Sequence, residues 1–288
     1  MKDQPVFEFE ELARGFYLEG LLVDDDDIWF TDVVTGGVRN LTTGQVVLPE
    51  RTMIGGLLMN VDGSLLVAGE GGIEWVNPKT GAQGVLVSGI DGANEMRSDG
   101  EGGMVFGTID LPGILKGRKP GPSSIFRLSV DGTMTVLKEG LAFANGLSLS
   151  PDGSELYFNE SFAASRRFPV RPNFTLGEIA TLRDMYDCDG MTLDAEGRVW
   201  ICGFSSDHVL GIDPAGGETL RIDLPGPACT NLRFGGADMR DLFVTVVDPA
   251  SAQKLAEGVP LTEMNSVLYR TRSPVIGAPI ARTEFDLG

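Results

Sequence analysis

The sequence is poor in the side chains on which many sites depend. Its 288 residues include three cysteines and one histidine. Three cysteines do not make a disulfide framework in a chain of this size, which fits a reducing cytosol, and no Cys/His cluster has the spacing of a zinc site. A Ser-His-Asp triad is not supported either. There is no Gly-x-Ser-x-Gly turn, and the single histidine, His208, has no evident partners.

Basic charge and long apolar segments are also scarce. The net charge is −18, with 23 Lys and Arg against 41 Asp and Glu. We therefore expect neither nucleic acid nor an anionic membrane as a partner, because a phosphate backbone needs a basic stripe. No apolar run approaches the ~18 residues of a membrane span, and no basic region followed by an apolar run begins the sequence. The expectation is a cytoplasmic protein without a secretory signal or a membrane span.

What the sequence does contain is a recurring hairpin pattern. In residues 144–161, ANGLSLSPDGSELYFNES, two short alternating apolar runs flank a Pro-Asp-Gly turn, which is typical of a β-hairpin. The same template fits five more stretches, and we call the residue that begins each copy its head residue. The six head residues are Glu19, Gly55, Asn94, Asn145, Asp189 and Asn231.

The spacing of the head residues predicts the fold. Successive heads lie 36, 39, 51, 44 and 42 residues apart, and steps of this size are typical of β-propeller blades. We therefore predict an all-β chain in which residues 1–288 form a single six-bladed β-propeller domain, with four-stranded antiparallel blades around a central channel. The blades are expected at about 17–52, 53–92, 93–143, 144–187, 188–229 and 230–288. Either FEFEE at 7–11 or ARTEFDL at 281–287 would supply the outer strand that closes the ring.

Three loops are longer than a hairpin needs. In a propeller the first strand of each blade lines the channel, so the head residues should form a ring at one mouth, where the loops between second and third strands also open. These loops are long at about 109–122, 161–167 and 248–265, as lids and binding loops usually are. The last one is predicted to carry a short helix, with Asp248 as N-cap and Gly258 past its end. The sequence therefore predicts the site at this mouth.

The ring of head residues has the composition of a cation site. Its two carboxylates, Glu19 and Asp189, would repel each other in a narrow channel, and burial raises the cost of ionising either one. A divalent cation removes that conflict, and a set of oxygen ligands favours Ca²⁺, Mg²⁺ or Mn²⁺. Fe²⁺ and Zn²⁺ also accept three oxygen ligands, so the sequence leaves the ion open. Such a cation can polarise a carbonyl and activate a water molecule.

The head motifs resemble those of a known family. Glu19, Asn145 and Asp189 are each followed by glycine, and the second motif continues into a Ser-Pro-Asp-Gly turn. These motifs are similar to those of the senescence-marker-protein/gluconolactonase (regucalcin-like) lactonases, and the resemblance spans all six predicted blades. It implies a six-bladed propeller with one divalent metal on the axis, ligated by Glu19, Asn145 and Asp189. It also implies that Asn94 binds substrate or a metal-bound water and that Asp189 is the base.

The chain departs from this family at the third head. Sugar-lactone hydrolases of the family usually carry Arg-x-Asn-Asp there, whereas this chain has Gly-Ala-Asn-Glu at 92–95 and lacks the arginine that holds a sugar acid. A simple aldonolactone is therefore not the expected substrate. The predicted lids carry apolar and basic side chains: Ile109, Leu111, Ile114, Leu115, Phe162, Phe168 and Phe174, with Lys116, Arg118, Lys119, Arg166, Arg167 and Arg171. We expect a small-molecule substrate with an apolar or aromatic body that carries or gains a carboxylate, unless these bases simply pair with neighbouring acids.

These observations together predict a metal-dependent hydrolase that opens a cyclic ester. Asp189, or Glu95 near it, would deprotonate the attacking water, and Asn94 would stabilise the developing oxyanion. Two alternatives stay open: a metal-dependent isomerase or lyase acting on a small carbonyl substrate, and a non-catalytic propeller that binds a divalent ion or another ligand. Acid–base chemistry at His208 and orientation of the metal ligands by Glu160 are further hypotheses.

Overall fold

The structure, a computed structural model, describes residues 7–25, 27–114, 118 and 121–288. The described strands form five sheets. The first contains β2 (Leu18–Asp24), β3 (Asp27–Asp32), β4 (Val38–Asn40) and β5 (Val46–Val47). The second contains β6 (Gly56–Met59), β7 (Leu65–Val76), β8 (Gln83–Ser98), β9 (Met104–Thr108), β10 (Ser123–Leu128) and β11 (Met134–Leu141).

The other three sheets come from the second half of the chain and the N-terminal strand. The third contains β12 (Ala144–Leu149), β13 (Glu155–Glu160), β14 (Ala164–Arg171), β15 (Thr175–Leu176) and β16 (Ala180–Arg183). The fourth contains β17 (Cys188–Leu193), β18 (Val199–Gly203), β19 (His208–Ile212) and β20 (Glu218–Asp223). The fifth contains β21 (Ala228–Gly235), β22 (Asp241–Val247), β23 (Ser266–Arg272) and β1 (Glu10–Gly15).

The all-β propeller is confirmed, but the prediction of six separate blades needs correction, since the described strands make five sheets. The reason lies in β8, a single strand of 16 residues. Gly92 still pairs with Glu70 of β7, and the next residue, Ala93, already pairs with Thr108 of β9. No loop separates the two ladders, so the second and third predicted blades form one six-stranded sheet. The innermost strands β2, β6, β8, β12, β17 and β21 nevertheless contact one another in a closed ring.

The N-terminal segment, not the C-terminal one, supplies the outer strand that closes the ring. Strand β1 pairs antiparallel with β23, with Glu10 opposite Arg270, and leads directly into the first sheet. The C-terminal segment crosses the other mouth of the channel instead. There Thr283 bridges to Asn60, close to the turn that ends β6. Closure of the ring removes free inner edges, as expected for a propeller.

Two short helices, α1 (Leu111–Ile114) and α2 (Pro249–Ala256), lie in the long loops. The predicted start of α2 is confirmed: the Asp248 side chain accepts a hydrogen bond from the backbone N–H of Ala250 at 3.0 Å. Gly258 follows the helix with φ of +70°, a conformation that glycine adopts readily. Within the described ranges no helix is long and apolar enough to span a membrane.

Glycines after the head positions let the innermost strands approach closely. A Cβ atom at Gly56 would lie 2.4 Å from the carbonyl oxygen of Asn94, and one at Gly146 would lie 2.5 Å from that of Asp189. Both distances are far below van der Waals contact, so any larger residue would push neighbouring strands apart. The head-glycine pattern in the sequence therefore sets the radius of the ring.

Candidate active site

A cavity of about 550 Å³ opens at the mouth where the head residues lie. Glu19, Asn94, Asn145 and Asp189 all line it, together with Gly55. These residues come from strands that are far apart in the sequence, or from the position just before one. The structure thus brings together the four predicted residues at one end of the channel.

A chain of hydrogen bonds orients the amides on the floor of the cavity. Asn94 Nδ2 donates to Asn145 Oδ1 at 3.2 Å, and Asn145 Nδ2 donates to Ser161 Oγ at 3.2 Å. Ser161 Oγ in turn donates to the carbonyl oxygen of Cys188 at 2.5 Å. Since an amide can be turned either way, these partners fix which atom of Asn145 is the oxygen that faces Asn94.

The glycine at the second head makes room for this chain. A Cβ atom at Gly55 would lie 2.3 Å from Asn94 Oδ1. The Asn94 side chain therefore occupies the space that any other residue at position 55 would fill. Glycine at position 55, just before β6, is thus required for the Asn94 amide to reach the cavity.

The two carboxylates on the floor resist ionisation. Burial raises the pKa of Asp189 well above its usual range; the Asn145 amide lowers it and the charge of Glu95 raises it further. Burial, followed by the charge of Asp189, likewise raises the pKa of Glu19. Asp189 is 6% exposed, and its Oδ1 has no hydrogen-bond partner among the described residues. Two acids therefore share one cavity, and neither has an ion-pair partner among the described residues to stabilise its ionised form.

The donor set on the floor fits a hard divalent cation. It offers carboxylate oxygens from Glu19 and Asp189 and an amide oxygen from Asn145, and the orphaned Asp189 Oδ1 is a ligand atom without a partner. Within the described ranges, no three Asp, Glu, His or Cys side chains cluster as a metal site. The third ligand that the predicted set supplies is the amide oxygen of Asn145.

Glu95 lies elsewhere than the prediction of a water-activating carboxylate requires. It is buried in the channel and does not line the cavity. Its Oε2 accepts from Arg233 Nη2 at 2.8 Å and its Oε1 from Arg97 Nη1 at 3.1 Å. Burial alone would raise the pKa of Glu95, but the two guanidinium groups outweigh it and the pKa falls below its usual value. Adjacent strand residues point to opposite faces, and Glu95 lies in the buried layer while its neighbour Asn94 lines the cavity.

Asn231, the sixth head residue, belongs to the same buried layer as Glu95. Its Nδ2 lies 3.4 Å from Glu95 Oε2, and its Oδ1 accepts from the backbone N–H of Leu232 at 2.9 Å. It does not line the cavity. The ring therefore presents four polar head residues to the cavity, and the fifth serves the layer beneath them.

Aromatic side chains form one wall of the cavity, which we call the aromatic wall: Phe143, Phe162 and Tyr186. The Phe143 and Phe162 rings stack with centroids 6.3 Å apart, and Tyr186 meets Phe162 edge-on at 5.6 Å. Phe162 is 44% exposed and Tyr186 67% exposed. Phe162 also has φ of +70°, unusual for a bulky residue. Exposed aromatic surface beside a polar floor is typical of a site for a partly apolar ligand.

The structure brings only some of the predicted lid residues to the cavity. Ile109, Ile114, Phe162 and Arg118 line it. Phe168 and Phe174 are buried in the core of the third sheet instead. Leu115, Lys116 and Lys119 lie outside the described residues, as does the side chain of Leu111.

The basic residues of the lids mostly have partners in the protein. Arg118 Nη2 contacts Asp110 Oδ2 at 2.9 Å, at the edge of the cavity. Arg166 Nε donates to Glu160 Oε2 at 3.1 Å, and Arg167 Nη1 donates to a backbone carbonyl. The alternative that these bases pair with neighbouring acids thus holds for Arg118 and Arg166, whereas Arg167 bonds to the backbone instead.

Two further hypotheses concern residues that the structure keeps away from the cavity. His208 Nδ1 lies 3.0 Å from Asp207 Oδ1, and Glu160 accepts from Arg166 and from the backbone N–H of Ala142. Neither side chain lines the cavity.

Sequence reasoning missed Tyr17, Ser161 and Tyr186. For Ser161 a signal existed: Glu160 pairs with Ala144 in an antiparallel hairpin, so Ser161 lies opposite Phe143 and diagonal to the head residue Asn145. Tyr17 lies two positions before Glu19 and also lines the cavity. Burial, then the charges of Glu19 and Asp189, raise the pKa of its phenol, which therefore stays protonated.

Comparison with known proteins now identifies the family. A profile of the SMP-30/gluconolactonase/LRE-like region matches residues 18–248. The chain belongs to this family. The resemblance drawn from the head motifs is thereby confirmed, and the matched region includes all six head residues.

Relatives and solved structures support the same assignment. Pentonolactonase XacC of Haloferax volcanii is 26% identical over 278 residues, which cover 92% of this chain and 93% of that protein. A luciferin-regenerating enzyme superposes with a TM-score of 0.81 at 19% identity, covering 97% of this chain and all of that one. A regucalcin from Agrobacterium tumefaciens, described as a calcium-binding protein, gives 0.79 at 20% identity over 97% and 98% of the two chains. At these identities, the two structures establish the propeller fold alone.

Proposed function

We propose that this protein is a divalent-metal-dependent lactonase that hydrolyses a cyclic ester other than a simple aldonolactone. The observation that carries the proposal is the pair of carboxylates, Glu19 and Asp189, with raised pKa values on the floor of an open cavity. Ionised carboxylates in such a place need a cation. Membership of a lactonase-containing family, and a relative named as a pentonolactonase, favour lactone opening as the reaction.

Glu19, Asn145 and Asp189 are the proposed ligands. When bound there, a divalent cation would act as a Lewis acid on the ester carbonyl and lower the pKa of a coordinated water. The description of one structural relative as calcium-binding favours Ca²⁺, and the oxygen donors suit Mg²⁺ and Mn²⁺ as well.

Asp189 is the proposed base. If Asp189 holds the cation through one carboxylate oxygen, its other oxygen can accept the proton of the attacking water and later return it to the alkoxide that leaves as the ring opens. Glu95 is not proposed for this step, because both of its oxygens are held by arginines. Among the described residues Asn94 donates one of its two amide N–H groups, to Asn145, and the other can stabilise the developing oxyanion.

The walls suggest what the lactone carries. A sugar lactone needs a polar partner for each of its hydroxyl groups, but Phe143, Phe162 and the nearby Ile109 and Ile114 offer none, which leaves the Tyr186 phenol as the polar group of that wall. An apolar or aromatic substituent would instead remove this surface from water. Arg118 at the edge of the cavity is the proposed contact for a carboxylate on the substrate or product, in exchange for its present pairing with Asp110.

A lactone panel tests this proposal. We expect chelator-sensitive acid release from a γ-lactone with an aromatic substituent, and weaker turnover of a polyhydroxylated lactone of the same ring size. Phe162→Ala should raise KM for the aromatic lactone by about tenfold, from the lost apolar contact, and leave KM for the hydroxylated one unchanged. No chelator-sensitive acid release from any lactone would contradict the hydrolase. Metal-induced stabilisation without turnover would then favour a binding protein, and conversion without acid release an isomerase or lyase.

A further inference from the structure

A second cavity lies at the opposite mouth of the channel, and the proposed function does not use it. Its volume is about 720 Å³, larger than that of the candidate active site. The turns 98–101 and 150–154, the 3₁₀ turn Pro172–Phe174 and the C-terminal residues 278–281 bound it. The C-terminal residues are tied to the fourth sheet, since the backbone N–H of Ala278 donates to the carbonyl of Leu193 at 3.0 Å.

Three buried polar side chains form the inner end of this cavity. Arg97, Ser148 and Thr192 line it and are 5%, 4% and 2% exposed. In the described part of the chain no hydrogen bond joins the Ser148 or Thr192 hydroxyl to another protein group. Both hydroxyls therefore keep their hydrogen-bonding capacity for a polar molecule in the cavity.

Arg97 also has donors to spare. Its Nη1 donates to Glu95 Oε1 at 3.1 Å and to the carbonyl of Met96 at 2.9 Å, and its Nη2 donates to the carbonyl of Met191 at 3.0 Å. A guanidinium group has five N–H donors, which leaves two of them without an acceptor in the described structure. The inner end therefore presents unmet donors from all three side chains.

The charges at the inner end do not balance. Arg97 and Arg233 are both buried and share a single carboxylate, that of Glu95. Burial and the charge of Arg233 lower the pKa of Arg97 to about 9, in keeping with a cation short of counter-charge.

The acids near the rim bond to groups other than the two buried arginines. Asp99 and Glu101 are both paired with Arg127, at 2.7 Å and 2.5 Å. The exposed Asp152 is held by the hydroxyls of Ser150 and Ser154 at the outer turn. None of these three acids is paired with Arg97 or Arg233, so Glu95 is the one described carboxylate in direct contact with the two buried guanidinium groups.

We propose that this cavity binds a small organic carboxylate. Its oxygens accept hydrogen bonds from Arg97, Ser148 and Thr192, and its body packs on the apolar wall at Leu149 and Leu193. A bound carboxylate would be a second counter-charge in direct contact with Arg97, beside the Glu95 carboxylate that Arg97 shares with Arg233.

Titration with 3-phenylpropionate, followed by calorimetry or NMR, tests this site, with the uncharged 3-phenylpropionamide as the matched ligand. We expect binding of the acid with a Kd of about 1 mM and much weaker binding of the amide. Ser148→Ala and Thr192→Val should each weaken it about tenfold, since each removes one hydrogen bond to a charged group. Phe162→Ala, at the other mouth, is the control and should leave the affinity unchanged, as should a chelator.

Three outcomes would overturn the site: no binding of the acid, equal binding of acid and amide, or affinities that stay the same in both hydroxyl variants. A loss that occurs in Phe162→Ala instead would place the ligand in the candidate active site. Far-UV circular dichroism of each variant checks that the fold is intact. The outcome does not depend on lactonase activity.

Discussion

Two groups of buried or half-buried carboxylates lie in the same channel, and their surroundings are opposite. Glu95 is held by two arginines, and its pKa is lowered. Glu19 and Asp189 have no arginine partner in the described structure, and their pKa values are raised. A buried acid that the protein itself satisfies is part of the structure, whereas one left unsatisfied marks where something else binds. Burial alone would not have distinguished the two groups.

The largest loss of activity is expected from a change in the group that lines the cavity, Glu19 and Asp189. Asp189→Asn removes both a proposed ligand and the proposed base, so kcat/KM should fall by at least about 10²–10⁴-fold, the range for losing a general base. The same variant should lose the rise in Tm that divalent salt gives the chelated wild-type protein. Activity and thermal unfolding, with and without salt, check both. A variant that keeps its metal-dependent rise in Tm would remove Asp189 from the ligand set.

A change at Glu95, the carboxylate beneath the cavity, should lower stability instead. Glu95→Gln leaves Arg97 and Arg233 buried without a counter-charge, and breaking a buried pair on one side costs about 3–5 kcal/mol of unfolding free energy. Urea unfolding measures this loss. Per folded molecule, kcat should change far less than in Asp189→Asn. If instead Glu95→Gln is as stable as wild type and inactive, the roles assigned to the two groups are reversed.

The pH dependence of stability should also differ between the groups. In chelated protein, the raised pKa values of Glu19 and Asp189 mean that the folded state binds more protons than the unfolded state above about pH 4, so stability falls as pH rises. The lowered pKa of Glu95 has the opposite sign, and its contribution is lost as pH falls through the acid range. Unfolding free energies from pH 3 to 8 check this. In Asp189→Asn the fall in unfolding free energy toward pH 8 should be smaller, and the loss toward pH 3 should be unchanged. If the pH curves of the variant and the wild type run parallel, the comparison is contradicted.

The repeat in the sequence could predict the propeller and the ring, because head residues and their glycines recur at blade spacing and strands at that spacing must pack side by side. It could not predict the single strand β8, since Gly92 is consistent with a turn and the ladder continues through it. Nor could it place Glu95: adjacent residues normally point to opposite faces, but an irregular pairing decides which face lines the cavity. Tyr186 carries no local signal, because it meets Phe162 only through folding.

The smallest effect is expected at Ser161, which positions Asn145 without being a proposed ligand. Its hydroxyl accepts from Asn145 Nδ2 and donates to the carbonyl of Cys188, so it keeps the amide oxygen turned to the proposed metal position. Ser161→Ala frees the amide and should weaken metal affinity about 10- to 100-fold, as for other residues that orient ligands. Ser161→Thr keeps the hydroxyl and is the matched control. Metal titrations followed by Tm should separate the two variants, because a purely structural role would change the Tm of the chelated protein and leave its response to metal intact.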